Sequence, residues 1–133
     1  MQEVKTDVQP GEILTDVFIP TAPSGSGVAY LKFLPRTADD YATVAVAAEV
    51  TPDEDNLCQD VRIALGAVGT TAIHATQAEE ILRGRPLTED NIRAAAASVK
   101  DVVDPLDDYR GSAAYKLSLI HISEPTRRYA ISY

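Results

Sequence analysis

Apolar and polar residues alternate along the first half of this chain and recur every three to four positions along the second. Residues 12–19 are rich in β-branched and aromatic side chains and are bounded by Pro10, Gly11 and Pro20, which predicts a strand. Residues 23–27 read as a flexible loop. Residues 28–34 predict a second strand, ended by Pro35, with Ala29, Leu31 and Phe33 on one face and Tyr30 and Lys32 on the other. A third strand over 41–50 aligns Val44, Val46, Ala48 and Val50, and a fourth over 61–65 aligns Val61, Ile63 and Leu65. An acidic turn over 51–56 joins them, and the short connections favour an antiparallel meander.

The period then changes. Ala75, Ala78, Ile81 and Leu82 form one stripe of a helix that Gly84 and Pro86 stop. Thr88 is suited to cap the next helix, with Glu89 and Asp90 in its first turn, where the helix dipole favours acidic groups. Ile92, Ala95, Ala96, Val99, Val102 and Val103 give that helix one buried face, and Pro105 ends it. Ser112 begins a further helix. Strands followed by helices predict an α+β fold: one antiparallel sheet of three to four strands, then three helices packed on one of its faces.

Residues 117–133 break this logic. The run Leu-Ser-Leu-Ile-His-Ile-Ser-Glu-Pro-Thr-Arg at 117–127 has no cap, no sustained helical period and a proline. It resembles, residue for residue, the conceptual translation of a widely used transposase sequencing adapter. Residues 128–130 then stand where a variable index lies, and 131–133 match the constant stretch after it. The expectation is a non-native tail that is set aside from functional reasoning, as a fusion scar would be, His121 included.

Composition narrows the class. The chain has 133 residues, 45% apolar and 24% charged, which suits one soluble globular domain with a core of its own. A net charge of −8 argues against broad binding to nucleic acid or anionic membrane, which needs a basic footprint. The lone Cys58 excludes an intramolecular disulfide framework and a four-cysteine metal site, and suits a reducing compartment. No apolar run approaches the roughly 20 residues of a transmembrane helix. Residues 1–9 are polar, without the apolar stretch of a signal peptide, so the expected location is cytoplasmic.

Self-contained chemistry is hard to find. A calcium loop starting at Asp53 would need glycine and glutamate where Cys58 and Ala64 stand. Gly25 and Gly27 lack the third glycine and the following helix of a dinucleotide fingerprint. His74 sits at a strand-to-helix connection, where a partly exposed surface role outweighs catalysis. The acidic pairs Glu79–Glu80 and Asp107–Asp108 read as solvated faces or helix caps, and no metal-ligand cluster is present. These observations describe an acidic α+β domain without a self-contained active site, which fits a domain that supplies one wall of a site built mainly elsewhere.

Four segments then carry a resemblance: residues 11–20, beginning Gly11-Glu-Ile-Leu14; Tyr30-Leu-Lys-Phe-Leu-Pro-Arg36 with residues 39–48; residues 61–69 with Gly84-Arg-Pro-Leu87; and residues 108–115. In order and spacing they resemble the C-terminal domain of the FAD subunit of molybdenum hydroxylases, the aerobic carbon monoxide dehydrogenase and xanthine dehydrogenase family. The resemblance implies a domain over 11–116 with its last helix truncated, residues 1–10 being the remnant of an upstream linker. It implies FAD, bound mostly by upstream domains, that takes electrons from [2Fe-2S] clusters and passes them to an external acceptor. An iron–sulfur small subunit and a molybdopterin large subunit would be the partners. By motif, Leu14 matches a residue packed against the flavin and Lys32 one beside its ring, with Arg36 and Asp40 as neighbours. An aliphatic side chain can shield a flavin face, and an ammonium can stabilise the anionic reduced flavin. The rival expectation is a flavin-free interaction or scaffold domain of the same fold.

Overall fold

A computed structural model describes residues 7–33, 41–108 and 111–122. Four strands, β1 (Gly27–Phe33), β2 (Val44–Pro52), β3 (Cys58–Gly66) and β4 (Ile73–His74), form one antiparallel sheet in the order β1-β2-β3-β4. Helices α1 (Thr76–Leu82), α2 (Glu89–Ser98) and α3 (Ala113–Ile122) follow, with a 3₁₀ turn over Val99–Asp101 after α2. The expected fold class is the observed one.

Register decides which side chains meet. Val46 stands opposite Leu65, Ala48 opposite Ile63, and Val50 opposite Val61, so these residues share one face. On that face Val44, Val46, Val50, Val61 and Leu65 meet Ala78 and Leu82 of α1, Ala95 of α2, and Leu119 and Ile120 of α3. The small residues Ala78 and Ala95 let the helices approach the valine-rich sheet closely. The Phe33 ring meets Tyr115 edge-on at 6.5 Å, tying β1 to α3.

Local chemistry explains the helix ends. Thr88 Oγ1 accepts the Asn91 amide at 3.4 Å, and the Ser112 hydroxyl accepts the Tyr115 amide at 3.2 Å. Asp107 accepts the Ala113 amide through its carboxylate, so one expected acidic cap is present. Gly84 takes φ +73°, and there the chain reverses to pair with β3: its amide donates to Cys58 O, and the Cys58 amide donates to Arg85 O. A Cβ on Gly111 would stand 2.6 Å from the Tyr115 ring, so only glycine fits that turn.

Four expectations change. Residues 12–19 do not form a strand: they are unpaired, and Ile13, Leu14, Val17, Phe18 and Ile19 are exposed. Strand propensity describes fit to a pleated, half-buried surface, and none lies beside this segment among the described residues. Second, the strands over 41–50 and 61–65 become Val44–Pro52 and Cys58–Gly66, taking residues from the turn, while the two-residue β4 completes the sheet. Third, α2 ends at Ser98, whose hydroxyl donates back to Ala95 O, and tightens into the 3₁₀ turn before Pro105. Fourth, α3 passes Lys116 and continues to Ile122. Lys116, Leu119 and Ile120 lie at i, i+3 and i+4 and are all buried, so residues 117–120 do supply a helical face.

Candidate functional site

The sheet face turned away from the core is lined mostly by small residues. Lys32, Ala45 and Gly66 form one row across it; Tyr30, Ala47, Ala64 and His74 form the next; Val28, Glu49 and Arg62 form a third. A Cβ on Gly66 would touch Ala45 Cβ at 3.4 Å, so even the glycine row is close-set. A shallow groove of about 370 Å³ lies over this floor, lined by Val28, Ala47, Glu49, Arg62, Ala64 and His74. Tyr30 and Val28 rise beside it with most of their surface exposed.

Its polar rim is organised from behind. His74 Nε2 lies 2.6 Å from Glu79 Oε1, and the same oxygen accepts the Ile63 amide at 2.7 Å. Glu79, expected on a solvated face, is 4% exposed. The reason is local: β4 pairs with Ala64 and Leu65 only, so the Ile63 amide lies past the ladder and is satisfied by a carboxylate from α1. His74 remains 58% exposed at its side chain, in agreement with the expected surface position. Glu49 Oε1 is buried without a hydrogen-bond partner.

Lys32 is half-buried in β1, on this open face, one row from Tyr30. Leu14 lies elsewhere, 71% exposed in the unpaired segment before β1, so the two expected flavin contacts do not share an element. Arg36 and Asp40 lie outside the described residues. Cys58 is fully buried, and desolvation pushes its thiol pKa up, opposed by Arg83 and assisted by Asp60. It is a core thiol rather than a nucleophile. Among the described residues no group of three or more His, Cys, Asp or Glu is placed to hold a metal ion, and no helix is long and apolar enough to cross a membrane. Small side chains, Tyr30 and Lys32 thus share the sheet face turned away from the core. Sequence reasoning missed the Ala45, Ala47, Ala64 and Gly66 floor, although it is the complement of the valine alternation it used.

The sequence model of the CO dehydrogenase flavoprotein C-terminal domain matches residues 29–123. The chain belongs to this family. Among similar proteins, this flavoprotein C-terminal domain is 37% identical over 115 residues to the 6-hydroxypseudooxynicotine dehydrogenase complex subunit alpha of Paenarthrobacter nicotinovorans, covering 86% of the chain and 38% of the relative. It is 36% identical to the carbon monoxide dehydrogenase medium chain of Afipia carboxidovorans, covering 86% and 39%. The xanthine dehydrogenase FAD-binding subunit of Escherichia coli is 31% identical, with 87% and 40% covered. The chain thus spans about two fifths of the length of these relatives. The solved carbon monoxide dehydrogenase of Hydrogenophaga pseudoflava superposes with a TM-score of 0.74 at 33% identity, covering 80% of this chain and 37% of that one. The domain is therefore of the type that forms the C-terminal domain of FAD subunits of molybdenum hydroxylases.

Proposed function

We propose that this domain closes one side of the FAD site of a cytoplasmic molybdenum hydroxylase, in a subunit that carries electrons from [2Fe-2S] clusters to an external acceptor. The partners are an iron–sulfur small subunit and a molybdopterin large subunit. The observation that carries the reading is the open sheet face with its small-residue floor, which holds Lys32 and Tyr30 on consecutive rows. FAD, when bound, supplies the two-electron carrier, and most of its contacts belong to domains upstream of this one. Lys32 places an ammonium beside the ring, where it favours the extra negative charge of the reduced form. Leu14, exposed here, shields the ring once the upstream domain brings the segment over 12–19 against it. The isolated chain therefore binds little or no FAD.

The test is Lys32→Ala in the full-length subunit. A lowered flavin reduction potential or altered reoxidation is expected, and unchanged flavin redox behaviour removes Lys32 from the site. We also propose that residues 117–133 are foreign to the natural protein. Leu119 and Ile120 are compatible with this, because core positions accept apolar side chains of about the right size. A genomic sequence that reads natively through residue 133 overturns it.

A further inference from the structure

Residues 12–19 have the composition of a strand without a strand beside them, and Ile13, Leu14, Val17, Phe18 and Ile19 are exposed. The outer edge of β1 likewise has no strand on it among the described residues, because β1 ends the sheet order. The connection between the two explains why they do not pair with each other. The Ser26 amide donates to Pro23 O at 3.1 Å and the Ser26 hydroxyl to the same oxygen at 2.8 Å, with Gly25 at φ +83° and Ser24 at negative φ. That is a type II turn, whose twist splays the arms of a hairpin. Its two-residue loop also sets the register such a hairpin would have. With Pro23 opposite Ser26, Asp16 would stand opposite Phe33 and Val17 opposite Lys32. A carboxylate would then face the core side of the sheet, beside a ring packed against the core.

A shift of one residue moves every side chain to the other face. Asp16 then stands opposite Lys32 and Phe18 opposite Tyr30 on the open face, while Val17 and Ile19 stand opposite Leu31 and Ala29 on the core face. The turn denies this register to the segment's own β1, but a segment arriving from another molecule is free of the turn. We infer that residues 12–19 are an arm that adds antiparallel to the outer edge of β1 in a second copy of this chain, the two copies exchanging arms about a twofold axis. Charge decides for this occupant. A lysine on an edge strand guards it against strand addition, and Asp16 brings the opposite charge to Lys32 across the new pair. Exchange also covers the contiguous apolar arm of both molecules at once, and exposed patches of this kind mark interaction sites. The inference concerns the 133-residue chain and does not rest on the flavin reading. In a full-length subunit the upstream domain competes for the same segment.

Analytical ultracentrifugation of the 133-residue chain tests the exchange. A reversible monomer–dimer equilibrium is expected; a chain that stays monomeric at its highest soluble concentration, or forms aggregates of no fixed size, overturns the inference. Deleting residues 1–20 is expected to abolish the dimer, and so is Val17→Lys, which puts a charge on the core side of the joint. Asp16→Lys is expected to raise the dimer dissociation constant about two- to thirty-fold, the range for two cross-strand charge pairs per dimer, and Lys32→Asp to do the same. Combining Asp16→Lys with Lys32→Asp is expected to restore the original constant, which a general loss of stability would not do. A dimer that survives the deletion, or charge reversals that do not compensate, overturns the inference. If Lys32→Asp fails to fold, Asp16→Lys decides alone, since its site lies outside the sheet, and an unchanged constant is then the refuting result. A monomer whose amides over 12–19 are protected from hydrogen exchange would show the arm on its own β1 and equally refute the exchange.

Discussion

Leu119 gives the sharpest test of how the helical layer closes. It lies in the second half of α3 and is 2% exposed, packed in the same cluster as Leu65, which is 1% exposed. Truncation to alanine removes the transfer free energy of the lost methyl groups and leaves a cavity where neighbours relax only in part. Together these cost about 2–5 kcal/mol for a buried leucine. That is a large share of the roughly 5–15 kcal/mol that stabilises an ordinary domain. The assay is urea unfolding of the 133-residue chain followed by far-ultraviolet circular dichroism. With a slope of about 2 kcal/mol per molar, the midpoint should fall by about 1–2.5 M at unchanged slope. Leu65→Ala is the internal standard and should lose a comparable amount. If Leu119→Ala loses less than about 0.5 kcal/mol, the level of a surface change, while Leu65→Ala loses 2 or more, the last turns of α3 do not occupy the core as described here.

Other outcomes follow from single contacts. Burial holds the Cys58 thiol in its neutral form, so it should resist alkylation at neutral pH until the chain unfolds; rapid modification of the native chain would contradict this. Because its folded pKa lies above its unfolded value, the unfolded chain loses this proton first, and stability should fall as pH rises past the unfolded thiol pKa, a slope that Cys58→Ala flattens in pH-dependent urea melts. Thr88→Ala should cost about 0.5–2 kcal/mol through the lost cap on α2, with Thr88→Ser close to neutral, both read from thermal unfolding. Lys116 Nζ is 3.0 Å from Asp108 Oδ2 and donates to Leu106 O at 2.6 Å, at 3% side-chain exposure. Asp108→Ala strands that ammonium and should cost up to about 3 kcal/mol, more than Lys116→Met, which removes the buried charge; the reverse order in urea melts would refute the argument.

Much of the framework was legible in local pattern. The alternations of β1, β2 and β3, the stripe of α1 and the Thr88 cap all announce themselves within a few residues, because period and capping are short-range properties. Residues 12–19 misled for the opposite reason: their β-rich composition says what surface they suit, and only a neighbouring strand can supply it. β4 is two residues long, below what any periodicity can mark. Glu79 read as a surface acid because nothing nearby in sequence reveals the Ile63 amide that it satisfies across the sheet edge. Lys32 was placed on the correct face by alternation alone, but the floor beside it depends on register between three strands, which no single segment encodes.

The strand order equals the chain order, each strand lying antiparallel beside its predecessor, and the helices return over the sheet just made. Such a route joins neighbouring strands through short turns, which keeps the entropy of closing the sheet small. The sheet pairs sequence neighbours, whereas the packing of α3 on β1 and β2 joins the two ends of the described fold and carries the larger loop-closure cost.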